Sequence, residues 1–211
     1  KLFDAKEAFL ERGGSTAPNG ELALPTFFFS PQVFRQANLD AFADIVARLS
    51  QHIPPGSIVC ELYGGIGLIG LSVVHLCSEL RCSDDNPNNE KSFELSRQSL
   101  PEHLADRAFF LSADAGTALD SNEATGASVL IVDPPRKGLD VEVLKALCNP
   151  NDERCSDLET LIYVSCGFDA LQAELPVLRS AGWSLSFSEG FILFPGSDHL
   201  ETLAVFHRRR R

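Results

Sequence analysis

The stretch CELYGGIGLIG, residues 60–70, decides the fold class of this chain. An apolar run ends in glycines and continues into a helical segment, which predicts a strand, a tight turn and a helix. Glycines at such a turn let the backbone approach a ligand beyond the carboxyl end of the strand. Gly65, Gly67 and Gly70 match the pattern GxGxxG, and Asp84 follows about 20 residues on, where an acid can take a ribose hydroxyl. The motif fits an NAD site, an S-adenosylmethionine site or a tight turn alone.

Short apolar runs alternate with helical windows on both sides of this stretch. We predict strands at residues 57–63, 80–83, 108–111, 128–132, 161–165, 183–188 and 202–206. We predict helices at residues 38–51, 67–77, 88–100, 141–148 and 169–180. This order indicates an α/β protein with a mostly parallel seven-stranded sheet and helices on both faces.

The composition narrows the class of protein. With 211 residues, 44% hydrophobic and 22% charged, the chain is expected to fold around a substantial core. No apolar run approaches the roughly 20 residues that span a bilayer, so we expect no membrane segment. A net charge of -11 disfavours binding of phosphate backbones by the whole surface of the protein. Any contact with nucleic acid is therefore expected to be local.

Cysteine usage and the start of the chain add two expectations. Six cysteines without CxxC spacing favour a reduced intracellular compartment and no metal site. The chain begins at Lys1 and contains no methionine, so we expect a fragment or processed form of a longer protein.

A second motif, VLIVDPPRKG at residues 129–138, delivers an acid from an apolar strand into a turn. Two prolines fix the backbone where Asp133 leaves the strand, although a plain strand-ending turn has the same pattern. Arg136 and Lys137 add two cations to the cleft of an acidic protein, where a phosphate can be held.

Two later motifs carry groups that can react. Cys166 ends the apolar run at residues 161–165 and precedes a helix, where a thiolate can be stabilised, although an inert cysteine remains the alternative. The turn at residues 194–202 presents Asp198, His199 and Glu201, of which one can act as a base, although the spacing alone favours a solvated turn.

Taken in order, these motifs resemble the methyltransferase domain of the RNA uracil-5-methyltransferase family, which makes 5-methyluridine in transfer and ribosomal RNA. The similarity runs from Phe29 to Phe206. Residues 29–38 are similar to the family's serine-proline, phenylalanine, glutamine and asparagine motif, whose glutamine contacts S-adenosylmethionine. The resemblance implies a Rossmann-like S-adenosylmethionine-dependent methyltransferase fold, with residues 1–23 as an N-terminal stub or linker and residues 24–211 as the catalytic domain.

The resemblance also implies a role for each site residue. The implied cofactor-binding residues are Gln36, Tyr63, Gly65, Gly67, Asp84, Asp114 and Asp133. Cys166 is the implied nucleophile, adding to carbon 6 of uracil, and Glu201 is the implied base that removes the proton from carbon 5. Arg136, Lys137 and His199 are the candidate substrate-binding residues. The target uridine has to be looped out or flipped to reach them.

The chain departs from the family at two places. Gly167 and Phe168 follow the cysteine where the family has asparagine and proline, and Gly64 and Leu68 stand where it commonly has cysteine and asparagine. These variants look most like plastid relatives, so we expect an intracellular protein of the plastid, with the cytoplasm as the alternative. We also expect an RNA-binding region upstream of this sequence. The oligomeric state is not predicted.

Two alternative functions stay open at this stage. A non-catalytic RNA-binding or partner-binding domain with a methyltransferase fold explains the altered residues after Cys166 and the acidic charge. An NAD-dependent oxidoreductase explains the GxGxxG pattern but leaves the other motifs unexplained, so it is the less favoured of the two.

Overall fold

The computed structural model describes residues 5–196 and 200–208. Within these ranges the strands are β1 (Ser57–Leu62), β2 (Cys77–Asp84), β3 (Ala108–Ser112), β4 (Val129–Val132), β5 (Thr160–Ser165), β6 (Ser184–Phe191) and β7 (Glu201–His207). They form one sheet in the order β3-β2-β1-β4-β5-β7-β6. Strands β1 to β5 are parallel to one another, and β7 runs antiparallel between β5 and β6.

Helices cover both faces of this sheet. They are α1 (Ala5–Glu11), α2 (Leu39–Ser50), α3 (Leu68–Val73), α4 (Asn88–Arg97), α5 (Glu102–Ala105), α6 (Ala115–Asp120), α7 (Val141–Cys148) and α8 (Phe168–Ser180). Val59 and Ile131 pack with α2, α3 and α4 on one face, whereas Cys60 and Leu130 pack with α6, α7 and α8 on the other. Because both faces are buried, the central strands are apolar at nearly every position. The predicted α/β architecture is confirmed.

An extended segment before α2 is fixed to α4. Alternate backbone N–H groups of residues 26–30 donate to the hydroxyls of Ser99, Ser96 and Ser92. Ser92 and Ser96 lie four positions apart on one face of α4, and Ser99 follows in the turn after the helix ends. Helix α4 thus holds the chain that leads to Gln36.

The predicted helix at residues 67–77 is wrong at its end. Helix α3 stops at Val73, a 3-10 turn covers Val74–Leu76, and Cys77 begins β2. Cys77 pairs with Ser57, so the strand has to start there to lie alongside β1. These apolar residues are buried in either conformation, which is why periodicity does not separate the two.

Two short helices were not predicted and one helix is shorter than expected. Helices α5 and α6 span four and six residues, too few for a periodic pattern to show. Helix α4 ends at Arg97, before the predicted end at Leu100, where Pro101 disfavours helical backbone. No helix in the described ranges is both long and apolar enough to cross a bilayer.

Candidate active site

The direction of the strands brings the reactive residues to one edge of the sheet. Asp133 and Cys166 directly follow the parallel strands β4 and β5. Strand β7 is antiparallel, so it begins at the edge where these strands end. Ser165 pairs with Thr202, and Cys166 and Glu201 are the residues next to this pair at the same edge of the sheet.

A cavity of about 820 Å³ opens at this edge. Its volume lies within the range of small-molecule sites, roughly 300–1,000 Å³. The predicted site residues that line it are Gln36, Tyr63, Gly65, Asp84, Asp114, Asp133, Arg136, Lys137, Cys166 and Glu201. Gly67 does not line the cavity, and His199 lies outside the described residues. The structure therefore brings most of the predicted residues together, while their individual roles stay predictions.

The glycine turn after β1 has left-handed backbone at several positions. Tyr63, Gly65 and Gly67 have φ of 59°, 57° and 77°. Gly67 caps α3, and a Cβ there would lie 2.5 Å from the ring of Phe93. Gly67 therefore allows close packing of α3 and α4, whereas Gly65 faces the cavity.

Glu61 is a cavity residue to which the sequence analysis gave no role. It is 1% exposed, and its carboxylate oxygens accept the N–H of Gly70 at 3.2 Å. Burial raises the pKa of Glu61 to about 7. The signal was present in the sequence, because Glu61 is the one charged residue in the run 57–62.

We call Gly65, Asp84 and Asp114 the binding end of the cavity. Asp84 accepts the N–H of Gly65 at 2.8 Å and the side-chain amide of Asn89 at 2.7 Å. Asp114 caps α6, and the backbone N–H and hydroxyl of Thr117, both at 2.9 Å, hold the pKa of Asp114 below its ordinary value. Both carboxylates are thus fixed by donors of the protein.

We call Asp133, Cys166 and Glu201 the reactive end. Burial raises the pKa of Asp133 well above its ordinary value, and the charge of Glu201 adds to the effect. Burial also raises the pKa of the Cys166 thiol, the charges of Glu201 and Asp133 raise it further, and Arg136 lowers it. The protein alone therefore favours the thiol, and a positive charge entering the cavity would favour the thiolate.

The loop after β4 is held at several points. The Tyr63 hydroxyl donates to the Asp140 carboxylate at 3.1 Å and accepts the Asp140 N–H at 3.0 Å. Lys137 forms an ion pair with Asp140 at 2.7 Å. A Cβ on Gly167 would overlap the Arg136 carbonyl, so glycine after Cys166 lets this loop pack against the start of α8.

Asn38 joins the cofactor motif to the connection between β6 and β7. Its side-chain oxygen accepts the N–H of Ala41 at 3.0 Å and so caps α2. Its side-chain amide donates to the carbonyl of Leu193 at 2.8 Å. Gln36 and Phe194, which lie close to these two residues in sequence, both line the cavity. Asn38 thus fixes two walls of the site relative to each other.

The cavity is strongly acidic. Its described lining contains the carboxylates Glu61, Asp84, Asp85, Asp114, Asp133, Asp140 and Glu201 against the cations Arg35, Arg136 and Lys137. In the part of the chain that the structure describes, no cluster of His, Cys, Asp or Glu side chains is arranged to hold a metal ion. Even without Glu61 and Asp133, whose pKa values burial raises, five carboxylates face three cations, which is complementary to a cationic organic ligand.

Solved structures show the class of fold. The tRNA (uracil-54, C5)-methyltransferase of Pyrococcus abyssi superposes with a TM-score of 0.64 at 22% identity, covering 89% of this chain and 45% of that one. The precorrin-6y C5,15-methyltransferase of Geobacter metallireducens gives a TM-score of 0.61 at 8% identity, covering 86% and 94%. The chain has the Rossmann-like methyltransferase fold, as predicted. Since the second of these proteins is named for a different substrate, the fold does not choose the substrate.

The chain has sequence relatives among RNA methyltransferases. The chain is 38% identical over 180 residues to an uncharacterized RNA methyltransferase of Protochlamydia amoebophila, covering 85% of this chain and 45% of that protein. It is 29% identical over 200 residues to the 23S rRNA (uracil(1939)-C(5))-methyltransferase RlmD of Polynucleobacter necessarius, covering 90% and 40%. No protein-family model matches the chain. The chain is a relative of RNA methyltransferases, so the predicted resemblance is confirmed, and it spans less than half the length of these two relatives.

Proposed function

We propose that this chain uses S-adenosylmethionine to methylate carbon 5 of a uridine in transfer or ribosomal RNA, through a covalent adduct of Cys166. The register of β5 and β7 supports the proposal, because Cys166 and Glu201 adjoin its last pair, Ser165 and Thr202, and both line a ligand-sized cavity. The names of the relatives support the uracil and the RNA. Because the chain matches less than half the length of these relatives, the activity of the whole protein is part of the proposal.

The cavity fits the proposed cofactor. S-adenosylmethionine carries a sulfonium and an ammonium group, which the excess of carboxylates would stabilise. The two negative charges of a dinucleotide pyrophosphate would be repelled by the same groups, which disfavours NAD. We assign Gln36, Tyr63 and the binding end of the cavity to the cofactor. When bound, it supplies a methyl group that is electrophilic because it is attached to a positively charged sulfur.

Cys166 and Glu201 perform the protein's share of the reaction. The Cys166 thiolate forms a bond to carbon 6 of uracil, and the electrons of the carbon 5–carbon 6 double bond make carbon 5 nucleophilic. Once carbon 5 carries the methyl group, the Glu201 carboxylate accepts the proton from carbon 5. The double bond re-forms and the Cys166 thiolate leaves.

The substrate and the charged groups around Cys166 are compatible with these reaction steps. Carbon 6 of a uracil can contact Cys166 only when the base has left the base stack, so the substrate is an unpaired or flipped nucleotide. Arg136 lowers the pKa of Cys166 and therefore favours the thiolate that starts the reaction.

The test is methyl transfer by the 211-residue chain. The protein is incubated with methyl-labelled S-adenosylmethionine and a uridine-containing transcript, and the RNA is digested to nucleosides. We expect labelled 5-methyluridine, its loss in Cys166→Ala, and its retention in Cys148→Ala. Cys148 is the matched control, because it and Cys166 are the two cysteines of the chain that are not buried.

Other outcomes separate the alternatives. Calorimetry that shows NAD binding and no S-adenosylmethionine binding would contradict the proposal. Binding of both S-adenosylmethionine and RNA without methyl transfer, unchanged by Cys166→Ala, would favour the non-catalytic binding domain instead.

The remaining predictions about the whole protein rest on the sequence. The intracellular location, in the plastid or the cytoplasm, and the upstream RNA-binding region stay predictions. So does the division of the chain at residue 23. Phe9 and Leu22, which precede that division, are buried in the core that α2 also joins.

A further inference from the structure

Glu174 is a buried carboxylate that the proposed reaction does not use. It lies on α8, about two turns after the helix begins beside Cys166, and is 8% exposed. Its Oε1 atom accepts the backbone N–H of Leu139 at 2.9 Å. A buried carboxylate is costly unless it is hydrogen-bonded, and this contact satisfies its Oε1 atom, whereas Oε2 is buried without a hydrogen-bond partner among the described residues.

The loop from residue 134 to residue 140 lies directly on this side chain. Gly138 has a φ of 87°, and a Cβ there would overlap Glu174 Oε1 and lie 3.0 Å from the Cβ of Ala170. The Gly138 N–H donates to the carbonyl of Pro135 at 2.9 Å, which closes the turn that carries Arg136. The loop therefore packs closely against α8, and Glu174 contacts it from the middle of that helix.

The surroundings of Glu174 are buried and polar. Burial raises its pKa, which the Leu139 N–H and the neighbouring Tyr163 hydroxyl counteract. The charge of Glu174 also reaches Tyr63, which binds the end of the same loop through Asp140. Glu174 and the half-buried Tyr63 thus fix the neighbouring residues Leu139 and Asp140 at the same end of the loop.

We propose that Glu174 is a positioning residue that fixes residues 134–140 on α8 and thereby sets Arg136 relative to Cys166. The nucleophile then lies just before the helix that carries the anchor of the facing loop. Only the consequence for catalysis rests on the proposed function, because the anchoring itself needs neither cofactor nor RNA.

Hydrogen exchange of the Leu139 amide tests the anchor. Glu174→Leu removes the acceptor, so we expect this amide to exchange about tenfold faster. Glu174→Gln keeps an acceptor oxygen and is expected to stay near the wild-type rate. His75→Leu is the control, since it removes another buried side-chain hydrogen bond, to the Ser15 carbonyl at 2.9 Å, and is expected to leave the Leu139 amide unchanged.

Titration of Cys166 with iodoacetamide tests the positioning. The charged groups that act on Cys166 are Glu201, Asp133 and Arg136, of which Arg136 alone lowers its pKa. Arg136→Ala is therefore expected to move the midpoint of alkylation to higher pH. We expect Glu174→Leu to move the midpoint in the same direction and Glu174→Gln to leave it in place.

Each outcome decides the proposal. An unchanged Leu139 amide in Glu174→Leu would overturn the anchor, and a released amide with an unchanged or lowered midpoint would overturn the positioning role. If Glu174→Leu does not fold, Gly138→Ala disturbs the same contact from the loop, because its added methyl group would overlap Glu174 Oε1. The expected results are again faster exchange of the Leu139 amide and a higher midpoint of Cys166 alkylation. Absence of methyl transfer would leave both readouts intact, so failure of the proposed function is seen separately.

Discussion

The two ends of the cavity are built from the same residue types in opposite ways. At the binding end, Asp84 and Asp114 accept hydrogen bonds from the backbone and from neighbouring side chains. At the reactive end, burial and mutual repulsion raise the pKa values of Asp133 and Cys166, and Glu201 contributes to both shifts.

This difference suggests that one end of the cavity binds a ligand and the other end reacts with it. Carboxylates fixed by donors keep their charge and their position, which suits recognition of a cofactor. Groups that raise one another's pKa exchange protons easily when a ligand changes the local charge, which suits acid–base and nucleophilic chemistry. Variants at the two ends should therefore have different consequences.

The largest effect is expected for Glu201→Gln. Without the carboxylate, the proton at carbon 5 is not removed, so turnover should fall on the order of 10³-fold while the Cys166 adduct accumulates. Formation of 5-methyluridine and a denaturation-resistant protein–RNA band measure the two effects. Glu189→Gln, on β6 and paired with Arg48 away from the cavity, should behave as wild type. Normal turnover of Glu201→Gln would show that another group is the base.

Gly167→Ala should have the next largest effect, on packing at the reactive end. The added methyl group overlaps the Arg136 carbonyl, so backbone has to move, and we expect a loss of ~2 kcal/mol in the free energy of unfolding. Urea denaturation measures it. Gly190→Ala is the matched control, because its nearest neighbour is the flexible Leu200 side chain at 3.1 Å. Equal stability of the two variants would mean that the loop does not need glycine at this position.

Asp84→Asn should weaken the binding end alone. Loss of the charged acceptor of the Gly65 N–H is expected to raise the Kd for S-adenosylmethionine about tenfold. Calorimetry measures this change, and the pH profile of Cys166 alkylation should stay as in wild type. A shift of that profile in Asp84→Asn would break the distinction between the two ends.

The smallest effect is expected in the reactivity of Cys166 in unliganded Glu201→Gln. Removing the negative charge lowers the pKa of the thiol, although burial still raises it, so more thiolate is present at a given pH. We expect alkylation at about pH 8 to be roughly three times faster than in wild type. An equal or slower rate would show that the charge of Glu201 does not reach Cys166.

The sheet and most of the site could be predicted because their signals are local. A strand ending in glycines, the Asp133 turn and the Cys166 strand end are each contiguous, and parallel strands bring such ends to one edge. The end of α3 could not be predicted, because Cys77 becomes a strand residue through its pairing with Ser57.

Roles that depend on distant contacts were also beyond the sequence. The packing of Gly67 on Phe93 and the ion pair of Lys137 with Asp140 appear only when the chain is folded. The contact of Gly167 with the Arg136 backbone is of the same kind, since the two residues lie on different loops. Gly167, which stands where the family has asparagine, therefore has a role in packing.

The measurement that tests the central claim most directly is a trapping experiment with RNA that contains 5-fluorouridine. Fluorine at carbon 5 cannot leave as a proton, so a nucleophile that has added to carbon 6 stays attached once the methyl group has been transferred. With S-adenosylmethionine present, we predict a denaturation-resistant adduct that mass spectrometry locates on Cys166 and that Cys166→Ala abolishes. Absence of the adduct from protein that binds both S-adenosylmethionine and the RNA, or an adduct that survives in Cys166→Ala, would contradict the account.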